Sequence, residues 1–175
     1  MRHLGPTIDS LWTFRPHFEL LVPKVTAAAN ALCGLLPNIG GAGVEVHRLY
    51  EGVVRSRVLY GAPVWAEDLL ANRRSLLLLR RLHRTTVIRI VREYRTMSYV
   101  SASVLAASPP FELQALALQH IKVLGSSGLT PPVAGQVASD AREKARMETW
   151  ERWRSDLLAE DAVRAHRGVR AFFPN

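Results

Sequence analysis

Two consecutive amphipathic segments between Val44 and Tyr94 restrict this chain more than any other stretch, because each pairs an apolar side with a polar side made almost wholly of arginine. Helices with such faces must bury one side and leave a cationic surface on the other. From Arg48 to Arg95 eleven arginines stand against four acids, Glu51, Glu67, Asp68 and Glu93, so seven of the eight net positive charges fall here. The basicity is therefore a local surface, the pattern of a polyanion-binding face.

Projected at about 100° per residue, Arg74, Arg81, Arg84, Arg92 and Arg95 fall within roughly an 80° arc of a helix from Asn72 to Arg95. Leu76, Leu79, Leu82, His83, Thr86, Val87, Ile90 and Tyr94 fall mostly elsewhere, at the spacing of a buried stripe. In the first segment, Arg48 and Arg55 lie on one side seven residues apart. Arginines so aligned offer forked, permanently charged donors to a row of phosphates. The competing expectation is a solvated face; it calls for acids at i±4, and Glu93 alone lies in the second segment.

A chain of 175 residues accommodates one domain with a sizeable core, or a domain plus an extension. Leu, Ala, Val and Arg dominate and aromatics make up only 7%, which favours a mostly α fold. A single cysteine, Cys33, excludes an internal disulfide and a multi-cysteine zinc site, and fits a reducing, intracellular compartment. Purely apolar bursts such as Leu76 to Leu79 are too short to span a bilayer, so no membrane contact is expected.

Residues 3–14 read as extended, with Asp9-Ser10 as a hairpin turn. Pro16 to Leu36 is helical, bent or restarted at Pro23, and Pro37 to Gly43 ends it. Gly61-Ala62-Pro63 terminates or bends the first basic segment, with Trp65 following as an anchor and Asn72 capping the arginine helix. Ser98 caps a short helix from Tyr99 to Ala107, and Pro109-Pro110 opens another from Phe111 to Leu124 that buries Leu113, Leu116, Ala117 and His120. Gly125-Ser126-Ser127-Gly128 is a linker to a mixed-charge helix from Val133 to about Arg167. Its stripe of Met147, Trp150, Trp153 and Leu157 either docks on its own domain or binds a protein partner.

The six histidines are scattered, and His83 and His120 on apolar stripes read as core or boundary residues, so no metal ligands are expected. Cys33 in its Ala/Leu helix reads as a structural thiol. Asn38 to Gly43 lacks the spacing of a phosphate-cradling loop. Glu67-Asp68 and Glu160-Asp161 read as helix punctuation. No catalytic residues and no cofactor are expected.

Four runs together resemble a known family: Leu35-Leu36-Pro37-Asn38-Ile39-Gly40-Gly41; Leu49-Tyr50 with Val53, Ser56 and Leu59-Tyr60-Gly61-Ala62-Pro63-Val64-Trp65; Tyr94-Arg95-Thr96 with Ser98; and Leu105-Ala106-Ala107-Ser108-Pro109-Pro110 with Glu112-Leu113. They are similar to the thumb and adjoining C-terminal part of reverse transcriptases from arthropod non-LTR retrotransposons, over about residues 2–124. The resemblance implies a remnant of palm strands over residues 1–14, a helical thumb-like domain over 15–124, and a linker with a C-terminal helical extension over 125–175. Taken with the helical projection, it makes Arg48, Arg55, Arg74, Arg81, Arg84, Arg92 and Arg95 candidates to contact the backbone of a template and primer, an RNA/DNA heteroduplex or RNA. The aspartate pair that holds the family's catalytic metals has no counterpart here, so the expectation is a truncated, non-catalytic fragment. A helical interaction module and a relic without function are the rival expectations. The family implies a nuclear step, and the sequence leaves nuclear or cytoplasmic residence open.

Overall fold

The computed structural model describes residues 5–7, 9–10, 13–33, 44–91, 97–125 and 131–172, with side chains over the same ranges apart from 44–45, 124–125, 131–138 and 160–172. Seven helices account for most of these residues: α1 (Arg15–Leu32), α2 (Val44–Val58), α3 (Ala62–Ala71), α4 (Arg73–Val91), α5 (Tyr99–Leu105), α6 (Phe111–Gly125) and α7 (Pro131–Phe172). The protein is mostly α, as its composition predicts.

The N-terminal hairpin is not supported. Among the described residues no strand forms and Thr7 makes an isolated bridge, while Ile8, Leu11 and Trp12 lie outside them. The turn at Asp9 is real, but its carboxylate accepts the Thr13 N–H at 2.6 Å and the Thr13 hydroxyl, closing the bend locally. A side-chain turn of this kind supplies the bonds that a second strand would otherwise provide. The chain then enters α1 at Arg15 with Phe14 already buried in the core.

Local chemistry places the other boundaries. Pro23 lies inside α1 on its exposed side, and the helix is assigned continuously through it. Gly61 takes the left-handed conformation with φ 71° and splits the basic segment into α2 and α3, with Pro63 in the first turn of α3. A Cβ at Gly61 would stand 3.1 Å from Pro6 Cγ, so both conformation and space favour glycine. Asn72 breaks the chain between α3 and α4, and its Oδ1 accepts the Ser75 N–H at 3.1 Å, the cap expected from sequence. Ser98 caps α5 in the same way through Ser101 N–H.

Trp65 is fully buried at the centre of the core. Its indole N–H donates to the Tyr60 carbonyl at 3.1 Å, and its ring meets Phe18 edge-on at 5.1 Å between centroids. Val25 and Ala29 of α1, Val54 and Val58 of α2, Leu69 of α3, Leu79 and Leu82 of α4, and Phe111 of α6 belong to the same cluster. Helix α3 packs on α6, α1 packs on α2 and α4, and α7 lies along α6. The described helices thus turn most of their largest apolar side chains inward, while Leu49, Leu77 and Leu105 stay exposed.

The docked ridge of α7 differs from the expected stripe. Ala141, Ala145 and Trp153 are buried and Leu157 is partly so, whereas Met147 is 52% exposed. Small alanines every fourth residue let the helix backbone approach α6 closely, so the ridge is set by size as well as by hydropathy. His120 also departs from expectation: it is 67% exposed, with Nδ1 3.9 Å from Glu148 of α7. With α3 on one side of α6 and α7 on another, the covered part of α6 is not the single stripe that a projection assumes.

Candidate nucleic-acid interface

The buried side of α4 carries Ser75, Leu79, Leu82, His83, Thr86 and Val87, which turns the arginines outward. Arg74 and Arg81 are both exposed and two turns apart, about 10 Å along the axis. Arg73 and Arg80 are exposed beside them. The projection of Asn72 to Arg95 missed these two, although their position next to Arg74 and Arg81 was legible. Arg92 and Arg95 lie outside the described residues.

Ion pairing removes some of these guanidinium groups from a binding role and leaves others. Arg74 stands 3.4 Å from Glu19 of α1, and that carboxylate also pairs with Arg15. With Arg74 66% and Glu19 40% exposed, this is a screened surface pair worth about 0–1 kcal/mol, which a phosphate can displace. Arg80 is committed: its Nε is 2.6 Å from Glu112, a carboxylate only 4% exposed in the first turn of α6. A buried carboxylate that lost this partner would be left uncompensated, so the pair holds α4 to α6. Arg84, half-buried, donates to the Met97 carbonyl at 3.0 Å and fixes the chain as it enters α5. The expected phosphate contact at Arg84 thus competes with a structural bond.

The arginines do not form a single row. Arg48 and Arg55 sit on the outward side of α2, opposite its buried Tyr50, Val54 and Val58. Arg55 opens into a groove of about 680 Å³ between α2, α6 and α7 that no residue of α4 lines. The cationic surface is therefore divided between the outward face of α4 and the outer side of α2.

Behind these faces runs a buried polar chain that pattern reading did not reveal. His83, fully buried, has Nδ1 2.9 Å from the Tyr99 hydroxyl and Nε2 3.2 Å from Ser108 Oγ, and Ser108 Oγ lies 3.1 Å from Glu51 Oε1. The consistent assignment is Tyr99 O–H donating to Nδ1, Nε2–H donating to Ser108, and Ser108 O–H donating to the Glu51 carboxylate. Burial pushes the His83 pKa down to about 3, so the imidazole is neutral and fits this order. The ring also packs edge-on against Phe111 at 4.6 Å. The chain ties α2, α4, α5 and the start of α6 together, and so fixes the two arginine-bearing helices relative to each other. Ser108 is buried and its oxygen is engaged on both sides, which suits a structural relay and not an attacking nucleophile.

Among the described residues no group of three or more His, Cys, Asp or Glu side chains is placed to hold a metal, and no helix is long and apolar enough to cross a membrane. Cys33 is a free thiol, partly buried, whose Sγ donates to the Ala29 carbonyl at 3.1 Å.

No family model matches the chain, and no solved structure matches it. It is 33% identical over 118 residues to a 115 kDa protein of the type-1 retrotransposable element R1DM from Drosophila melanogaster, a match covering 65% of this chain and 11% of that protein. It is 30% identical over 116 residues to the retrovirus-related Pol polyprotein of the type-1 retrotransposable element R1 from Bradysia coprophila, covering 66% of this chain and 12% of that one. The chain therefore spans about a tenth of the length of the relatives it matches. Over about two thirds of its length, this chain has homologues among the proteins of R1-type non-LTR retrotransposable elements.

Proposed function

We propose that the chain is a thumb-like, nucleic-acid-binding part of a retroelement reverse transcriptase, which holds template and primer through backbone phosphates and does not polymerise by itself. The observation that carries this reading is the concentration of seven net charges between residues 48 and 95, together with exposure of Arg48, Arg55, Arg73, Arg74 and Arg81 on helices locked to one core. Arginine forks on rigid helices read the spacing of phosphates and not the sequence of bases. An A-like heteroduplex, whose shape and backbone are its main handles, is the matching ligand. Polymerisation in such an element needs metal-binding carboxylates, and the resemblance does not extend to them.

Double charge reversal, Arg73→Glu with Arg81→Glu, tests the reading. Among the described residues neither side chain is placed in an ion pair, so helicity by circular dichroism should be unchanged. Heteroduplex affinity at low salt should fall at least tenfold. Equal affinity in a folded double variant would refute the α4 face as an interface.

A second reading is favoured by Met147, 52% exposed, and Leu158, 62% exposed, on α7: these two residues, with Trp150, would meet a protein partner. It predicts a complex that persists as salt is raised.

A further inference from the structure

We propose that the groove between α2, α6 and α7 binds single-stranded nucleic acid, with a base stacked on Trp150 and phosphates held by Arg55, Arg142 and Arg146. The proposal rests on the reading above only in taking nucleic acid as ligand; Arg55 is common to both, and the other residues and the strand form are different.

The groove, at about 680 Å³, is of the size that admits a nucleotide unit or two. Its cations come from two helices: Arg55 from α2, Arg142 and Arg146 from α7. Arg55 and Arg142 are exposed, and neither has a carboxylate within 4 Å among the described residues. Arg146 has one at 3.9 Å, Glu143, in an exposed i,i+3 pair that a phosphate can displace. The acid in the lining, Glu51, already accepts the Ser108 hydroxyl and is outnumbered by the three arginines. The wall is thus electropositive on both sides.

Trp150 supplies the stacking surface. It is 40% exposed, whereas Trp153 one turn away is buried, and the two rings lie 5.1 Å apart at 54°. Trp153 backs the Trp150 ring, so little side-chain freedom is lost when a base covers its open side. Aromatic stacking between arginines is the usual physics of single-strand binding, and a base paired within a duplex cannot present its face in this way. Gly52, in the middle of α2, faces open space: a Cβ there would meet nothing within 4 Å. Since packing does not demand this glycine, the room before it belongs to the groove.

The test measures binding of a labelled twelve-residue oligo-dT and of an RNA/DNA heteroduplex to the full chain and three variants. In Gly52→Leu the new side chain enters the groove while replacing a poor helix former, so folding is retained. Trp150→Ala removes the stack, and Arg142→Gln with Arg146→Gln removes two cations. Each should weaken oligo-dT about tenfold or more and change heteroduplex binding less than twofold. The Arg73/Arg81 reversal should do the opposite, so failure of either site is visible separately. Oligo-dT binding within twofold of the unmodified chain in folded Gly52→Leu and Trp150→Ala would overturn the proposal. So would poly-glutamate of equal charge competing as well as the oligonucleotide, which would make the groove a site for acidic peptide.

Discussion

Acidification should destabilise this protein through His83 before its carboxylates titrate. The imidazole is buried between Tyr99, Ser108 and Phe111, and burial holds its pKa near 3 in the native state. In the unfolded chain a histidine titrates near 6.5. Between these values the unfolded state binds a proton that the native state refuses, so stability is complete above about pH 6.5 and falls as pH is lowered towards 3. From pH 7 to 5 the loss from this one group is about 2 kcal/mol, and the figure holds for any native pKa below about 4. His17, lowered by burial and then by Lys24, adds a loss of the same sign, so the informative quantity is a difference between proteins. Urea denaturation followed at 222 nm should show the unmodified chain losing about 2 kcal/mol more than His83→Gln over that interval. The variant itself will be less stable at pH 7, because Gln cannot keep both bonds of the ring. Should it fail to fold, the ring signals of His83 in the unmodified chain carry the test: they should stay unshifted from pH 7 to 4. Equal losses in both proteins, or a His83 ring titrating near 6.5, would refute the argument.

Gly61→Ala should cost about 1–2 kcal/mol, since an L residue is strained at φ 71° and its Cβ would crowd Pro6; a chemical-denaturation midpoint reports it. Arg84→Met should lower stability by about 1 kcal/mol through loss of the bond to the Met97 carbonyl. The same variant should leave the salt dependence of heteroduplex binding unchanged, and a shallower slope would return Arg84 to the interface.

Local signals in the sequence carried most of the fold. Asn72 and Ser98 cap where their side chains suggested, Gly61-Ala62-Pro63 ends one helix and starts the next, and Trp65 anchors the core. What escaped reading was long-range. Glu51 and Ser108 are 57 positions apart, so the chain through His83 exists only once α2, α4 and α6 are packed. Arg84 is helical neighbour to Arg81, yet its guanidinium finds a carbonyl 13 residues on. His120 lies on an apolar stripe, but the helices beside α6 cover other positions. The two-stranded start failed for a local reason: Asp9 satisfies Thr13 by itself. Of the candidate site, the arginine concentration was legible in full, while its division between α4 and the α2 groove required the fold.

The central claim, that this is a phosphate-gripping surface, is tested most directly by heteroduplex affinity across a salt series. Five exposed arginines, Arg48, Arg55, Arg73, Arg74 and Arg81, neutralising about five phosphates predict a log–log slope of roughly −4 to −5. A slope near zero, or no binding at low salt by folded protein, would contradict the account.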